Sequence, residues 1–246
     1  MKRKIQVPCS SCRFVRCAGY RQFSAEELQW VSQYKIGDLV VEGGEQVLAQ
    51  GAPSPYLYTL YEGWAYRYKT LENGERQILN FCFPGDFIGL QGSMFGSLDH
   101  AVATLTGCHF CIFPRERVWE LFSRHPELAY GVTWISSGHE RLLDTRILAL
   151  GKLNAESKIA HLILSIRDRL LALGAASEQA LPWPLTQEQL ADCLGMTSVH
   201  VSRTFKRLEA RGLIAVGRRE MRILTPAALE ELACYEPPHD EPRPYL

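Results

Sequence analysis

The sequence lacks an excess of charge of either sign and lacks a long apolar segment. Its 27 Lys and Arg residues balance its 27 Asp and Glu residues, which excludes nucleic-acid binding through overall basicity. No apolar run approaches the roughly twenty residues that are needed to cross a bilayer. These absences predict a cytoplasmic protein without a membrane segment, in which any contact with nucleic acid depends on local charge.

Signatures of common enzyme classes are also missing. The chain contains no GxSxG nucleophile elbow, no glycine-rich phosphate loop and no HExxH zinc motif. Isolated histidines such as His109, His125 and His161 are more often packing or surface groups than catalytic ones. An enzyme is therefore the less favoured interpretation.

Residues 185–214 predict two short helices joined by a tight turn. Thr186 and Gln189 have the spacing of a capping box, which starts the first helix. Gly195 ends that helix, because glycine readily adopts the left-handed conformation of a helix C-terminus. Thr197 or the residue after it caps the second helix. This helix-turn-helix pattern is typical of DNA-binding proteins, although an ordinary pair of packed helices shares part of it.

The second helix presents polar and cationic side chains, Arg207 among them, on the face opposite its apolar stripe, and such a face suits a major groove. Two β-favouring runs around Gly217 then predict a hairpin wing with a basic tip. Between residues 184 and 225, seven cations face four acids. The predicted DNA-binding residues are Thr197, Ser198, Val199, His200, Ser202, Arg203, Lys206, Arg218 and Arg219.

Residues 36–113 alternate short β-favouring runs with turn residues. Asn73-Gly74 lies between two alternating runs and predicts a hairpin, and Pro84-Gly85-Asp86 marks the next corner. Several short strands at this spacing predict a β-roll or jelly roll.

From residue 114 the pattern becomes helical, and one long helix carries a stripe with alternating spacings of four and three. Such a stripe predicts a seam between two copies of the chain. A helix packed on its own sheet would use much the same stripe, so both interpretations stay open. The predicted dimer-interface residues are Leu128, Val132, Ile135, His139 and Leu142.

Cys9, Cys12 and Cys17 are clustered near the start of the chain. Clustered thiols are typical of an iron–sulfur site, which normally needs a fourth thiolate from elsewhere in the chain. The alternative is three free thiols on a mobile arm. Apart from Cys111, the remaining cysteines are expected to be core residues, namely Cys82, Cys108, Cys193 and Cys234.

The order of these parts resembles the CRP/FNR family of bacterial transcription regulators over nearly the full length. The resemblance depends on Gly63, on FPGDFIG at 83–89 and on the helix-turn-helix segment that closes with GLI. It implies a homodimer that binds a two-fold symmetric operator in double-stranded DNA, with RNA polymerase as a further partner.

The resemblance also bears on the signal. Members that bind cyclic nucleotides use a Glu and an Arg where this chain has Leu90 and His100, which argues against cyclic AMP because a buried phosphate would lack its cation. Oxygen-sensing members hold a [4Fe–4S] cluster, and Cys111 would be the fourth ligand beside Cys9, Cys12 and Cys17. Since the spacing before Cys17 is one residue shorter than in those members, structural thiols and a response to haem, a small ligand or a partner protein stay open.

The recognition helix departs from the family at Val199, where the family commonly has a Glu. Arg203 matches the base-reading Arg of the family and can bind guanine bidentately. The operator is therefore not expected to be the usual one of the family.

The predicted fold is α+β, with an N-terminal β-roll of the cyclic-nucleotide-binding type, a long dimerisation helix and a C-terminal winged helix-turn-helix. The segment before the helix-turn-helix is expected to be a loop, and the Pro-rich tail has no reason to fold except at Tyr245-Leu246. The predicted domains are a cysteine-containing arm (1–23), a β-roll (24–113), a helical linker (114–150), the winged helix-turn-helix (151–236) and a tail (237–246).

Overall fold

The computed structural model describes residues 7–17, 20–237 and 243–244, apart from the side chains of Arg16 and Ser93. These residues form two compact units. The first comprises residues up to 140 together with the tail residues 243 and 244, and the second comprises residues 141–237. No helix in the described ranges is both long enough and apolar enough to span a membrane.

The first unit is a pair of antiparallel sheets flanked by helices. Its elements are α1 (Ala25–Tyr34), β1 (Gly37–Val41), β2 (Gln46–Leu48), β3 (Tyr56–Glu62), β4 (Ala65–Thr70), β5 (Arg76–Cys82), β6 (Phe87–Ile88), α2 (Leu90–Phe95), β7 (Ala101–Thr104), β8 (Cys108–Pro114), α3 (Val118–Arg124) and the beginning of α4 (Pro126–Lys152). The strand orders are β1-β8-β3-β6 and β2-β7-β4-β5. The predicted β-roll is confirmed, and Asn73-Gly74 lies in the turn between β4 and β5.

Two apolar clusters stabilise this unit. One lies between the sheets and includes Leu60, Val102 and Phe110. The other packs helices onto the outer face of the β3- and β8-containing sheet, because successive residues of a strand point to opposite faces. The N-terminal helix begins as predicted, since Ser24 and Glu27 form both hydrogen bonds of a capping box.

The predicted dimer seam needs correction for three of its five residues. Leu128, Val132 and Ile135 are 1–3% exposed in the single chain and belong to the cluster between helix and sheet. A side chain that is already buried against its own sheet cannot also face a second copy. His139 and Leu142 are half-buried, and for them the assignment stays a prediction.

The second unit contains the end of α4, then α5 (Ala155–Ala172), β9 (Ala180–Pro182), α6 (Gln187–Leu194), α7 (Ser198–Ala210), β10 (Ile214–Val216), β11 (Glu220–Ile223) and α8 (Pro226–Ala233). Asn154 caps α5 by accepting a hydrogen bond from the Ser157 backbone N–H at 3.0 Å. The segment that was expected to be a loop contributes β9, which pairs with β11. The wing is therefore an antiparallel sheet in the order β10-β11-β9, because β9 pairs with the edge of β11 that the hairpin leaves unpaired.

Two expectations about the end of the chain were wrong. Cys234 is exposed, because it lies at the left-handed C-terminus of α8 instead of on its packed face. Arg243 and Pro244 belong to the first unit: Arg243 pairs with the buried Asp86 carboxylate, and Pro244 packs against Gly131. The prediction for Tyr245 and Leu246 lies outside the described residues.

Candidate DNA-binding surface and sensory residues

The helix-turn-helix begins and turns as the local sequence predicts. The Thr186 Oγ1 accepts from the Gln189 backbone N–H at 3.2 Å, and the Gln189 side chain accepts from the Thr186 N–H at 2.9 Å. Gly195 has φ 62° and ψ 42°, a left-handed conformation that favours glycine. Thr197 then caps α7 by accepting from the His200 N–H at 3.2 Å. These four residues fix the angle at which α7 leaves the turn.

Helix α7 divides into a buried and an exposed face. Val201, Thr204, Phe205 and Leu208 are buried in the second unit. The predicted DNA-binding positions of this helix and its cap are exposed, except that Ser202 is half-buried. Val199 alone among them offers only apolar contact, and 58% of its surface is exposed. An exposed apolar residue beside polar ones suits contact with a thymine methyl group.

The cations of this region fall into two groups. Arg207 and Arg211 both pair with Glu156 of α5, with N–O distances of 2.9 and 2.5 Å, and Arg222 pairs with Glu220. Arg207 is exposed on α7, and its charge is paired within the unit. Within the described part of the chain, no carboxylate pairs with the remaining four cations, Arg203, Lys206, Arg218 and Arg219.

The wing places its two arginines beside α7. Val216 pairs with Met221, and the Gly217 N–H donates to the Glu220 carbonyl at 2.8 Å, so Arg218 and Arg219 stand at the exposed tip. The Trp183 N–H donates to the Arg219 carbonyl at 2.9 Å, which ties the tip to the residue after β9. A groove between α7 and the wing is lined by Ser202, Lys206 and Arg218, among others. A hydrogen-bonding helix face and a cationic tip thus share one concave surface.

Three of the four predicted cluster ligands lie in one region of the first unit. Cys9 and Cys12 lie in a short 3-10 turn and at its end, and Cys111 lies on β8 opposite Asp38 of β1. Burial raises the pKa of all three thiols, to about 12 for Cys111, and each of these pKa values is lowered in part by the positive charge of Lys35. Cys9 also acts on the pKa of Cys12, and Cys12 on that of Cys111.

The start of the chain is held by a buried ion pair beside these thiols. Lys35 Nζ lies 2.7 Å from Asp38 Oδ1 and donates to the Val7 carbonyl at 2.7 Å. Asp38 Oδ2 accepts from the Val7 N–H at 3.3 Å, and His109 Nε2 lies 2.9 Å from Oδ1. The described part of the arm is therefore packed onto the β-roll. Cys17 lies after the second 3-10 turn, where its carbonyl accepts from Tyr20.

Comparisons with known proteins agree with this architecture. A family model described as a Crp-like helix-turn-helix domain matches residues 157–232, and one described as a cyclic nucleotide-binding domain matches residues 39–125. The nitrogen fixation regulation protein FixK of Bradyrhizobium diazoefficiens is 34% identical over 92% of this chain and 93% of its own. The chain belongs to the CRP/FNR family of transcription regulators.

Two further proteins are similar to this CRP/FNR regulator, one in sequence and one in structure. The transcriptional activatory protein AadR of Rhodopseudomonas palustris is 32% identical over 77% of this chain and 78% of AadR. The solved structure of FixK2 from Bradyrhizobium japonicum superposes with a TM-score of 0.71 over 79% of this chain and 96% of FixK2. Because the sequence identity is 24%, this structural likeness supports the fold alone. The chain is thus a DNA-binding transcription regulator that resembles other regulators rather than enzymes.

The interior of the β-roll of this CRP/FNR regulator contains a cation that the sequence analysis missed. Of the two positions that bear on nucleotide binding, Leu90 begins α2 and His100 is buried, with 4% of its surface exposed. Arg67 reaches His100 from the neighbouring strand, with 3.0 Å between Arg67 Nε and His100 Nε2. The sequence argued that a buried phosphate would lack a cation here, and this expectation is wrong because Arg67 lies beside His100. Only the strand register, which the sequence does not state, brings the two residues together.

Proposed function

We propose that this regulator binds a two-fold symmetric operator as a homodimer, with α7 in the major groove and the wing tip on the phosphate backbone. The observation that carries this proposal is the group of four exposed cations that have no carboxylate partner among the described residues, beside three paired cations of the same region. Unpaired cations can replace the counterions of DNA, whereas Arg207 and Arg211 would first have to leave Glu156. Thr197, Ser198, Val199, His200 and Ser202 complete the contact surface around Arg203.

Arg203→Ala tests the reading of bases. A planar fork on the exposed face of α7 can span O6 and N7 of one guanine, so its loss should cost about 1–3 kcal/mol and relax preference at one position in each half-site. Arg207→Ala is the matched control on the same helix, and it should leave sequence preference unchanged. The measurement is a binding-site selection followed by titrations of the selected DNA.

Arg219→Ala tests the role of the wing. An arginine on a phosphate should contribute equally to all sequences, so its removal should reduce the salt slope of binding by about one unit. If this variant lost sequence preference while Arg203→Ala kept it, the wing would be the base reader and the groove assignment would be wrong.

Dimerisation is proposed through the exposed side of α4, because the predicted stripe is partly used inside the chain. Tyr130, Ile147 and Leu148 of this helix are 63–69% exposed, and apolar side chains of this size favour burial in a contact. Leu148→Asp should give monomers in sedimentation experiments, since each charge would be desolvated in a two-fold contact. A wild type that is monomeric with and without DNA would contradict the proposal.

We further propose that the cysteine region senses oxygen or redox state through a [4Fe–4S] cluster. The donor set fits in part: the thiols of Cys9, Cys12 and Cys111 interact electrostatically, whereas no three His, Cys, Asp or Glu side chains among the described residues are close enough to hold a single metal ion. Cys9, Cys12 and Cys111 would hold the cluster together with Cys17. The group would supply an oxygen-labile iron–sulfur centre, and Lys35 would offset the negative charge of the thiolates.

Iron and sulfide content of protein purified without oxygen tests this proposal directly. Each of Cys9→Ser, Cys12→Ser, Cys17→Ser and Cys111→Ser should lower iron content, because serine is a poorer ligand for iron. Cys82→Ser, which alters a buried core thiol, should not. Wild-type protein without iron and sulfide would rule out the cluster, and a sharp Soret band would show haem in its place.

RNA polymerase is the further partner that we propose, because a regulator that activates from an operator must contact the transcription machinery. The test is a transcription assay with purified polymerase on the selected operator. A promoter-bound regulator that leaves transcript levels unchanged in either direction would contradict this partner.

A further inference from the structure

One polar patch interrupts the apolar interior of the β-roll. Ala65 on β4 pairs with Cys82 on β5, and both belong to the cluster between the two sheets. Arg67 and Asn80 form the next pair on the same face, because side chains alternate along a strand. A guanidinium and a carboxamide therefore lie side by side where the neighbouring positions are apolar.

The charge of Arg67 has no carboxylate partner among the described residues. Its Nε contacts His100 Nε2 at 3.0 Å, and its Nη2 lies 3.4 Å from Nδ1 of the same ring. Burial and the charge of Arg67 lower the pKa of His100 to about 3, so the ring is neutral and has one acceptor nitrogen. The nearby carboxylate of Asp86 is bound by Arg243. Several N–H donors of the guanidinium are left for another acceptor.

Asn80 is buried and offers a hydrogen-bond acceptor. It is 2% exposed, and its Oδ1 accepts no hydrogen bond from the described residues. Native proteins leave few buried polar oxygens in this condition, and such an atom often marks the place of a bound molecule. Unused donors on Arg67 thus lie beside an unused acceptor on Asn80.

We propose that Arg67, Asn80 and His100 bind a small carboxylic acid that also carries a hydroxyl or N–H donor. A carboxylate matches the planar fork of arginine, and the donor of the ligand satisfies Asn80 Oδ1. Directly opposed residues of two strands have Cβ atoms about 5 Å apart, so both groups reach polar atoms of one small molecule. This ligand class differs from the cyclic nucleotides for which the matched domain model is named, and its binding requires no cysteine.

Calorimetric titration of the full-length protein with two pairs of acids tests the inference. Lactate differs from propionate, and malate from succinate, by one hydroxyl group. The hydroxy acid of at least one pair should bind about tenfold or more tightly than its partner, because only it can donate to Asn80 Oδ1. Inorganic phosphate and cyclic AMP are titrated in parallel, and tighter binding of either would overturn the assignment of ligand class.

Variants locate the site. Arg67→Gln should weaken binding by about ten- to a hundredfold, since it removes charge-assisted hydrogen bonds. Arg124→Gln, which removes an exposed cation from α3 of the same unit, should not. Asn80→Leu should remove the advantage of the hydroxy acid over its partner. The inference fails if neither hydroxy acid binds the wild type, if Arg67→Gln binds as the wild type does, or if Asn80→Leu keeps the preference.

Discussion

The buried ion pairs of the first unit and the ion pairs of Glu156 in the second unit differ in how far their side chains are exposed. In the first unit, Lys35 and Asp38 have side chains that are at most 2% exposed, and Arg243 meets a buried Asp86. In the second unit, Glu156 joins Arg207 and Arg211 at the surface, where the two arginine side chains are about half exposed. Removing one partner from a buried pair leaves a desolvated charge, whereas an exposed charge returns to water. The pairs of Asp38 and Asp86 in the β-roll should therefore contribute far more to stability than the pairs of Glu156 in the DNA-binding unit.

This difference suits the two functions that are proposed for the units. A surface that binds DNA needs cations that exchange partners easily, and exposed pairs exchange at little cost. A domain that responds to a signal needs groups whose removal or binding changes its conformation, and buried charges have that effect. The largest effects of substitution are expected where the charges are least exposed.

Asp38→Asn should cause the largest loss of stability. It removes the carboxylate charge that neutralises buried Lys35, and breaking such a pair costs about 3–5 kcal/mol. Urea unfolding followed by tryptophan fluorescence reports mainly on this unit, because Trp30, Trp64, Trp119 and Trp134 all lie in it.

The double variant with Lys35→Met and Asp38→Asn is the control for that measurement. It should regain most of the lost stability, because no unpaired charge is then left in the core. A loss below about 1 kcal/mol for Asp38→Asn alone would show that water reaches Lys35, and the contrast between the buried and the exposed pairs would disappear.

The sequence predicted the second unit better than the first, and the reason is the range of the contacts. Thr186, Gly195 and Thr197 act on backbone groups within a few residues, so capping rules locate them without a structure. Arg67 and His100, or Asp86 and Arg243, meet only through strand register or the return of the tail. The apolar stripe at Leu128, Val132 and Ile135 could be recognised in the sequence. The surface against which it packs could not, because a sheet and a second helix favour the same spacing of apolar residues.

A pH titration sharpens the comparison further. The folded state lowers the pKa of His100 from its ordinary value near 6.5 to about 3, through burial first and then through Arg67, Lys69 and His139. The unfolded chain therefore gains a proton below pH 6.5 that the folded chain does not gain until about pH 3. Stability should fall as the pH decreases through this window, by about 2 kcal/mol between pH 6.5 and 5.

His100→Gln isolates that contribution, because glutamine can still accept from Arg67 but does not titrate in this range. The measurement is urea unfolding of both proteins at several pH values. Parallel pH dependences would show that the imidazole is not kept neutral in the fold.

Thr197→Ala should have a smaller and local effect. The Oγ1 that accepts from the His200 N–H is lost, and an N-cap of this kind contributes about 1 kcal/mol. Thr197→Ser keeps the hydroxyl and is the matched control. Hydrogen exchange at the first turn of α7 should rise in the alanine variant alone, and equal exchange in both variants would show that the turn is held by its packing.

Glu156→Gln should have the smallest effect on stability, although it removes the acid from two ion pairs at once. Exposed pairs contribute about 0–1 kcal/mol, because water and salt replace the lost partner. The DNA-binding unit should therefore unfold at nearly the wild-type urea concentration. Arg207 and Arg211 lose their internal partner in this variant, so if either then reaches phosphate, the salt slope of DNA binding should steepen by about one unit for each new contact. An unchanged slope would mean that these arginines point away from DNA even when unpaired, and a loss of stability as large as that of Asp38→Asn would show that exposure does not decide what an ion pair contributes in this protein.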